Sequence, residues 1–354
     1  INERGGVMVN KAAFVMEKRK IEIMDSPMPE MKPGYVKVKV GYCGVCGSDV
    51  HHFLNLEPDF WPQCYPFIIG HEFAGTVVEV AGDVRDLKVG DRVCVEPGTF
   101  CGKCEWCRKG RYNLCKNMEF LSAPPVRGAM REYITHPAEL CFKLPDHVST
   151  MEGALVEPLA VGMNAVVRSG IHVGDSAVVL GTGCIGLVTI MSLKAAGITD
   201  ITAVDLYDIR LEKALEVGAT RAINTADKDT VAEVLKYCDG IGPDFVFETA
   251  GSRHTAEAAV YICKKGGVIM QVGNVVGETS LNLQKMCDKE LTFMTNFRYL
   301  NIYPTCVEAI AAGRINVKDI VSKVYPLDDA MQAFEDCVNK RQSMVKAVLK
   351  ISDD

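Results

Sequence analysis

The rhythm of hydrophobic and polar positions changes near residue 150. Before that point, runs such as YVKVKVGYC, FAGTVVEVA and DRVCVEP have strand length and β-type composition, and Pro33-Gly34, Gly82-Asp83 and Gly90-Asp91 punctuate them. This predicts an all-β, barrel-like beginning. A cysteine-rich stretch at 96–118 interrupts it, and strand character returns in MREYITHP and LCFKLP. Beyond residue 150, MEGALVEPLAVGMNAVVRSG has helical periodicity. Strands and helices then alternate: SAVVLG, IGLVTIMSLKAAG, DITAVD, IRLEKALEVGA, RAINT, DKDTVAEVLKYC, PDFVFETA, HTAEAAVYICKKGG, VIMQVG. Continuous apolar strands suit a parallel sheet covered on both faces. The alternation predicts a doubly wound α/β domain. It fades near residue 295, where a helix (IYPTCVEAIAAG), a strand (VSKVYPL), a helix (DDAMQAFEDCVNK) and a strand (VKAVLKI) close the chain.

The 354 residues are enough for two domains, and 48% apolar with 24% charged residues is an ordinary globular composition. A net charge of -6 without a basic block gives no support to nucleic-acid binding. No apolar run approaches the length of a membrane span, and INERGGVMVNKAAF lacks a signal-peptide core. A cytoplasmic, reduced protein with no membrane partner is expected. The first seven residues are read as an extension, with Met8 as the natural start.

Four of the fifteen cysteines crowd into CGKCEWCRKGRYNLC: Cys101, Cys104, Cys107 and Cys115. Four thiolates on one loop can close a tetrahedral shell around Zn2+, and a closed shell is structural rather than catalytic. Disulfides would need an oxidising compartment. The spacing also lacks the x3 interval and the Pro of an iron–sulfur run. The other eleven cysteines are scattered and suit small reduced core positions, as at Cys263 and Cys337.

AVVLGTGCIGL carries Gly181-x-Gly183-x-x-Gly186 directly after an apolar strand and directly before a helix. That context turns a weak motif into a dinucleotide fingerprint: the glycines let backbone approach a pyrophosphate, and the helix N-terminus receives its charge. The next strand ends in Asp205, placed to accept bonds from ribose hydroxyls and to repel a 2′-phosphate, which favours NAD over NADP. Arg210 follows, in position to stack on adenine or reach a phosphate. Ile185 in the turn and Val272, Gly273 and Asn274 after VIMQ complete the cofactor set.

Further donors remain: Cys46, Ser48 and His51 in CGVCGSDVHH, His71 and Glu72 in GHE, and Glu157 in EPLAVG. Each alone suits a core thiol, a satisfied histidine or a surface acid. Together they offer the three protein ligands and exchangeable position of a catalytic zinc, which supplies the Lewis acid that a dinucleotide fold lacks.

CGVCGSDVH, GHEFAGTVVEVAGDV, KVGDRV, the four-cysteine lobe, GALVEPLAVG, GTGCIGL, VDLYDIRL and NFRY resemble the zinc-containing medium-chain dehydrogenases, within them the sorbitol (polyol) dehydrogenase branch. The resemblance runs from about residue 10 to the C-terminus. It implies a GroES-like β-rich catalytic domain at 8–160 and 297–354, with the structural zinc lobe at 96–118 and an NAD-binding Rossmann domain inserted at 161–296. It further implies a homo-oligomer, a dimer or tetramer, two zincs per chain, and oxidation of an alditol such as sorbitol or xylitol to the ketose. By motif position, the catalytic zinc would be held by Cys46, His71 and Glu72, with Glu157 binding it directly or through water. Ser48 and His51 would carry the alcohol proton to solvent, and Arg298 and Tyr299 would contact polyol hydroxyls. The chain departs from the branch at His52, which stands where an aromatic is common. Its complete cysteine lobe keeps threonine-type and butanediol-type enzymes as alternatives. A catalytically idle relative would lack the intact donor set.

Overall fold

The protein is described from a computed structural model, over residues 9–54 and 64–353; Met8 lies outside these. The chain forms two compact units. The first contains the residues up to Glu157, then Tyr303–Ala311 and Val321–Asp354; the second contains Pro158–Ile302 and Ala312–Ile320. The crossing into the second unit thus comes at 157/158 rather than 160/161, and the return begins at Tyr303 rather than at residue 297. A short segment, Ala312–Ile320, also goes back to the second unit.

The first unit is β-rich. Its main sheet runs in the order Cys141–Lys143, Arg92–Val95, Glu72–Val80, Tyr35–Gly44, Lys346–Lys350, Val321–Pro326, with Tyr133–Pro137 also paired to Tyr35–Gly44. Among the described residues the two ends of this path do not pair, so the sheet of the expected barrel is open along this path. A smaller sheet orders Lys20–Ser26, Asn10–Glu17 and Phe67–Ile68. The strand Tyr35–Gly44 is central because it alternates: Val36, Val38 and Val40 are fully buried, and the lysines between them are not. Side chains from both sheets, among them Phe14, Phe67, Phe73 and Ile134, share one core with Phe334 of the helix Ala330–Asn339.

The second unit is a six-stranded, all-parallel sheet ordered Arg221–Asn224, Asp200–Asp205, Ser176–Leu180, Phe245–Glu248, Val268–Gln271, Thr292–Thr295. In sequence order this is 3-2-1-4-5-6, the doubly wound dinucleotide topology. The inner strands are buried over most of their length, which is why they read as apolar runs. The sixth strand escapes the sequence pattern. TFMT is an edge strand with Phe293 36% exposed, so it carries no continuous apolar signal. Cys263 is fully buried, while Cys337 is half-buried against the core of the first unit. Among the described residues no helix is long and apolar enough to cross a membrane.

Candidate active site and metal centres

Three pieces of chain in the first unit converge. The helix Gly47–Leu54 starts immediately after Cys46, and the strand Glu72–Val80 starts immediately after His71. That strand pairs antiparallel with Tyr35–Gly44, setting Gly44 opposite Glu72. One ligand atom each from Cys46, His71 and Glu72 then lies within 4.8 Å of the others. Gly70 makes the approach possible. Its φ is +99°, and a Cβ there would meet Met130 Cγ at 2.7 Å and Cys43 Sγ at 2.9 Å.

Asp49, 1% exposed, ties the pieces together. Its carboxylate accepts from the Cys46 N–H (3.2 Å), the Gly70 N–H (3.3 Å) and the Ser122 hydroxyl (2.6 Å), and lies 3.6 Å from His71 Nδ1. Burial raises the Asp49 pKa, but His71 and these donors outweigh it and hold it below the usual range. Burial likewise lowers the His71 imidazole, yet Asp49 and then Cys46 leave it well above the ordinary histidine value. A carboxylate beside the imidazole is how metal-binding histidines are oriented, here at a separation longer than a hydrogen bond. Glu72 is held from the other side. Lys346, from the C-terminal strand, donates to both carboxylate oxygens at 2.7 and 2.8 Å and to the Val45 carbonyl at 3.1 Å, with both side chains almost wholly buried. Neither Asp49 nor Lys346 was singled out from the sequence. The acid in GSDVH was a local signal; the lysine, 274 residues from Glu72, had none.

Glu157 sits in the first turn of the helix Val156–Ser169 and is 6% exposed, but it is not part of the Cys46–His71–Glu72 group. It lies close enough to raise the pKa of Glu96, which burial first, then Glu157, push up to about 7 against a Tyr112 hydrogen bond. Ser48 and His51 are half-buried and three residues apart on one helix, so both lie on one side of it.

In the cysteine lobe, Cys104 caps the short helix Glu105–Arg108, and the strands Gly98–Thr99 and Glu119–Phe120 pair to close the base. Sulfur–sulfur distances are 3.5 Å (Cys104–Cys107), 3.5 Å (Cys101–Cys115) and 3.9 Å (Cys104–Cys115). Zinc–sulfur bonds of ~2.3 Å in a tetrahedron require about 3.8 Å between sulfurs. The four cysteines therefore fit a closed zinc site. Backbone N–H groups of Lys103 and Cys104 push Cys101 down to about 6, whereas burial and then Cys104 push Cys107 up to about 12. The base strand also sets Phe120 against the His71 ring, centroids 5.4 Å apart.

In the second unit, Gly181 has φ +89° and packs on Ala250, while Gly186 packs on the Gly181 carbonyl. Gly183, the N-cap of the helix Cys184–Ala195, has open space where a Cβ would be; the Arg210 guanidinium is the nearest group, at 3.9 Å. The turn is thus tight on two sides and open on the one that would face a phosphate. Ile185 lies in the first turn of that helix. Asp205, 8% exposed, accepts from Thr182 N (2.6 Å) and Oγ1 (3.1 Å), and from the Leu206 and Tyr207 N–H groups at 2.7 and 3.1 Å. It braces the glycine turn as well as standing where a ribose acid would. Val272 is buried, Gly273 packs on Gly251, and Asn274 is exposed. Glu248, fully buried, was missed from the sequence. It accepts from the N–H groups of Ala250 and Gly251, from Thr255 and from Gln271, knotting two strand ends. Arg298 has a left-handed backbone, φ +56°, and its carbonyl accepts from Asn296 (3.0 Å) and Asn164 (3.4 Å), so the loop is braced. Tyr299 is buried.

The model of the alcohol dehydrogenase GroES-like domain matches residues 32–146, and that of the zinc-binding dehydrogenases matches 184–312. The uncharacterized zinc-type alcohol dehydrogenase-like protein YdjJ of Escherichia coli (strain K12) is 44% identical over 98% of this chain and 100% of its own. Sorbitol dehydrogenase of Bacillus subtilis (strain 168) is 37% identical over 96% of each. The chain belongs to the zinc-dependent medium-chain polyol dehydrogenase family. Among solved structures, the 2R,3R-butanediol dehydrogenase of Bacillus subtilis superposes with a TM-score of 0.88 at 36% identity, covering 97% of this chain and 100% of that one.

As a medium-chain dehydrogenase this chain takes zinc and a nicotinamide cofactor, and its donor sets fit both. The thiol–imidazole–carboxylate trio offers soft and borderline ligands around an orienting acid.

His71→Ala is expected to remove one zinc and leave the other, and Cys104→Ser to do the reverse, as read by metal analysis of the folded variants. Equal metal content in His71→Ala and the parent protein would refute the trio as a zinc site. Lys346→Met strands a buried carboxylate, a change typically costing about 3–5 kcal/mol. Zinc at Cys46, His71 and Glu72 would offset part of this, so thermal unfolding should show a larger loss in the metal-stripped variant than in the zinc-loaded one. Equal losses would mean that Glu72 does not face the metal.

Proposed function

We propose that this medium-chain dehydrogenase oxidises a secondary alcohol of a polyol, of the sorbitol or xylitol type, reversibly to the ketose with NAD, an L-iditol 2-dehydrogenase-like activity. The observation that carries the reading is the donor set: His71 is followed by a carboxylate that joins the site, and the EPL glutamate, Glu157, stands buried in the same unit. Zinc held there would polarise a bound alcohol, and the nicotinamide would accept hydride.

The chain's own residues supply the rest. Asp49 lies beside the His71 ring, and Lys346 holds Glu72 against Gly44. Glu157 positions a water or a substrate hydroxyl beside the trio. Ser48 takes the alcohol proton and His51, three residues on along the same helix, passes it to solvent; both are half-buried. Gly183 and Arg210 receive the pyrophosphate end of the cofactor, and Asp205 selects NAD through its ribose. Arg298 and Tyr299, on a braced loop, bind outer hydroxyls of the substrate.

A second reading has its own support. The complete cysteine lobe and the likeness to a butanediol dehydrogenase favour a short vicinal diol. NADH formation over a panel of alditols, 2,3-butanediol and threonine separates the two. Turnover of an alditol is expected; turnover of butanediol or threonine alone would move the protein to that sister activity. Asp205→Ala should lower the ratio of kcat/KM with NAD to that with NADP by at least tenfold, on the order of one lost charge-assisted hydrogen bond. An unchanged ratio would place ribose recognition elsewhere.

A further inference from the structure

Glu248 is fully buried, and among the described residues no lysine or arginine pairs with it. It ends the strand Phe245–Glu248, which lies next to Ser176–Leu180. These are the fourth and first strands of the sheet, between which the strand order reverses, and open sheets of this kind take their ligand at that point. The carboxylate accepts from the N–H groups of Ala250 (3.0 Å) and Gly251 (3.0 and 3.2 Å), from the Thr255 hydroxyl (2.7 Å) and from the Gln271 side-chain amide. Every partner is a donor, the pattern that an ionised carboxylate requires. Burial raises its pKa, and Thr255, Gln271 and the backbone donors work against that rise. A buried charge without a counter-ion is costly, and here the surrounding chain provides hydrogen bonds but no cation.

The acid stands beside the glycine turn. A Cβ on Gly181 would meet Ala250 at 2.7 Å, and one on Gly273 would meet Oε2 of Glu248 at 2.7 Å. Thr249, next in the chain, donates its hydroxyl to the Leu180 and Gly181 carbonyls at 3.0 and 2.6 Å. Asp205 lies on the other side of Ser176–Leu180, at the end of Asp200–Asp205. With the pyrophosphate at the Gly181 turn and the adenine ribose at Asp205, the nicotinamide half extends to the side of Glu248 and Gly273.

We propose that the charge of Glu248 makes this protein discriminate between the two redox states of its cofactor, binding the oxidised form in preference to the reduced one. This rests on the cofactor reading above and adds a residue to it. The oxidised nicotinamide ring is a cation and the reduced ring is neutral, while the rest of the molecule is the same. A fixed negative charge shielded from water therefore acts on the difference between them. Glu248 acts through its charge and not by touching the ring, since its hydrogen bonds are spent on the chain. The form that alcohol oxidation consumes is held, and the reduced product leaves more readily.

The test measures dissociation constants in the zinc-loaded protein without alcohol, NADH by its fluorescence and NAD+ by displacement of NADH. Glu248→Gln should raise the ratio of the NAD+ constant to the NADH constant on the order of tenfold, chiefly through weaker NAD+ binding. Gln271 stands opposite Glu248 on the paired strand, so the exchange Glu248→Gln with Gln271→Glu keeps both the hydrogen-bonded pair and its charge. It should return the ratio toward that of the parent. Gln271→Lys keeps the carboxylate and a donor but neutralises the charge, and should raise the ratio as Glu248→Gln does; if Glu248→Gln does not fold, this variant decides alone. Equal weakening of both forms would reduce Glu248 to a brace for the turns and overturn the proposal, as would an unchanged ratio in variants that still bind NADH. Either result leaves the cofactor reading intact. A parent protein that binds neither form would overturn both.

Discussion

The buried negative charge gathered at Asp49 and Glu72, beside the Cys46 sulfur, is the constraint on which the first unit depends. Carboxylates out of water cost several kcal/mol each unless they are paired and fully hydrogen-bonded. Asp49 is answered locally, by two backbone N–H groups, the Ser122 hydroxyl and His71. Among the described residues, the Glu72 carboxylate is answered by Lys346. That lysine opens the strand Lys346–Lys350, which pairs with Tyr35–Gly44 through Val348 opposite Gly44. The chain therefore has to return to the first unit after the second has been made. The last strand is a charge partner as much as a sheet member.

The second unit uses carboxylates in a related way, on loops instead of ligands. Asp205 and Glu248 end the strands on either side of Ser176–Leu180; Asp205 accepts the Thr182 N–H of the glycine turn as well as those of Leu206 and Tyr207, and Glu248 those of Ala250 and Gly251. Backbone with positive φ at Gly181 and Gly251 is thereby held in place before any cofactor arrives. Such preorganisation lets a loop receive a phosphate without ordering itself at that moment. The NFRY loop follows the same logic with amides: Asn296 and Asn164 bond the Arg298 carbonyl and hold a left-handed residue that would otherwise relax.

Much of this was legible because it is local. Buried parallel strands have to be apolar, so the four inner strands of the second unit announce themselves; the edge strand Thr292–Thr295, half in water, does not. The glycine turn is legible because only glycine fits the contacts at Gly181 and Gly186. Four cysteines within one loop need no tertiary fold to meet, and their sulfur spacings match one ion. The β-rich half was legible as strands but not as a shape: closure depends on which edges pair, and alternation within a strand says nothing about its neighbours.

The amino-acid sequence by itself determined the fold class, the two donor-rich motifs and the dinucleotide turn, because each is set by residues within a few positions of one another. Only the tertiary structure decided which acid lies beside His71, which cation neutralises Glu72, and that Glu157 is not in the Cys46–His71–Glu72 group. These depend on contacts between segments tens to hundreds of residues apart, and a buried charge is defined by what surrounds it, which no local pattern records.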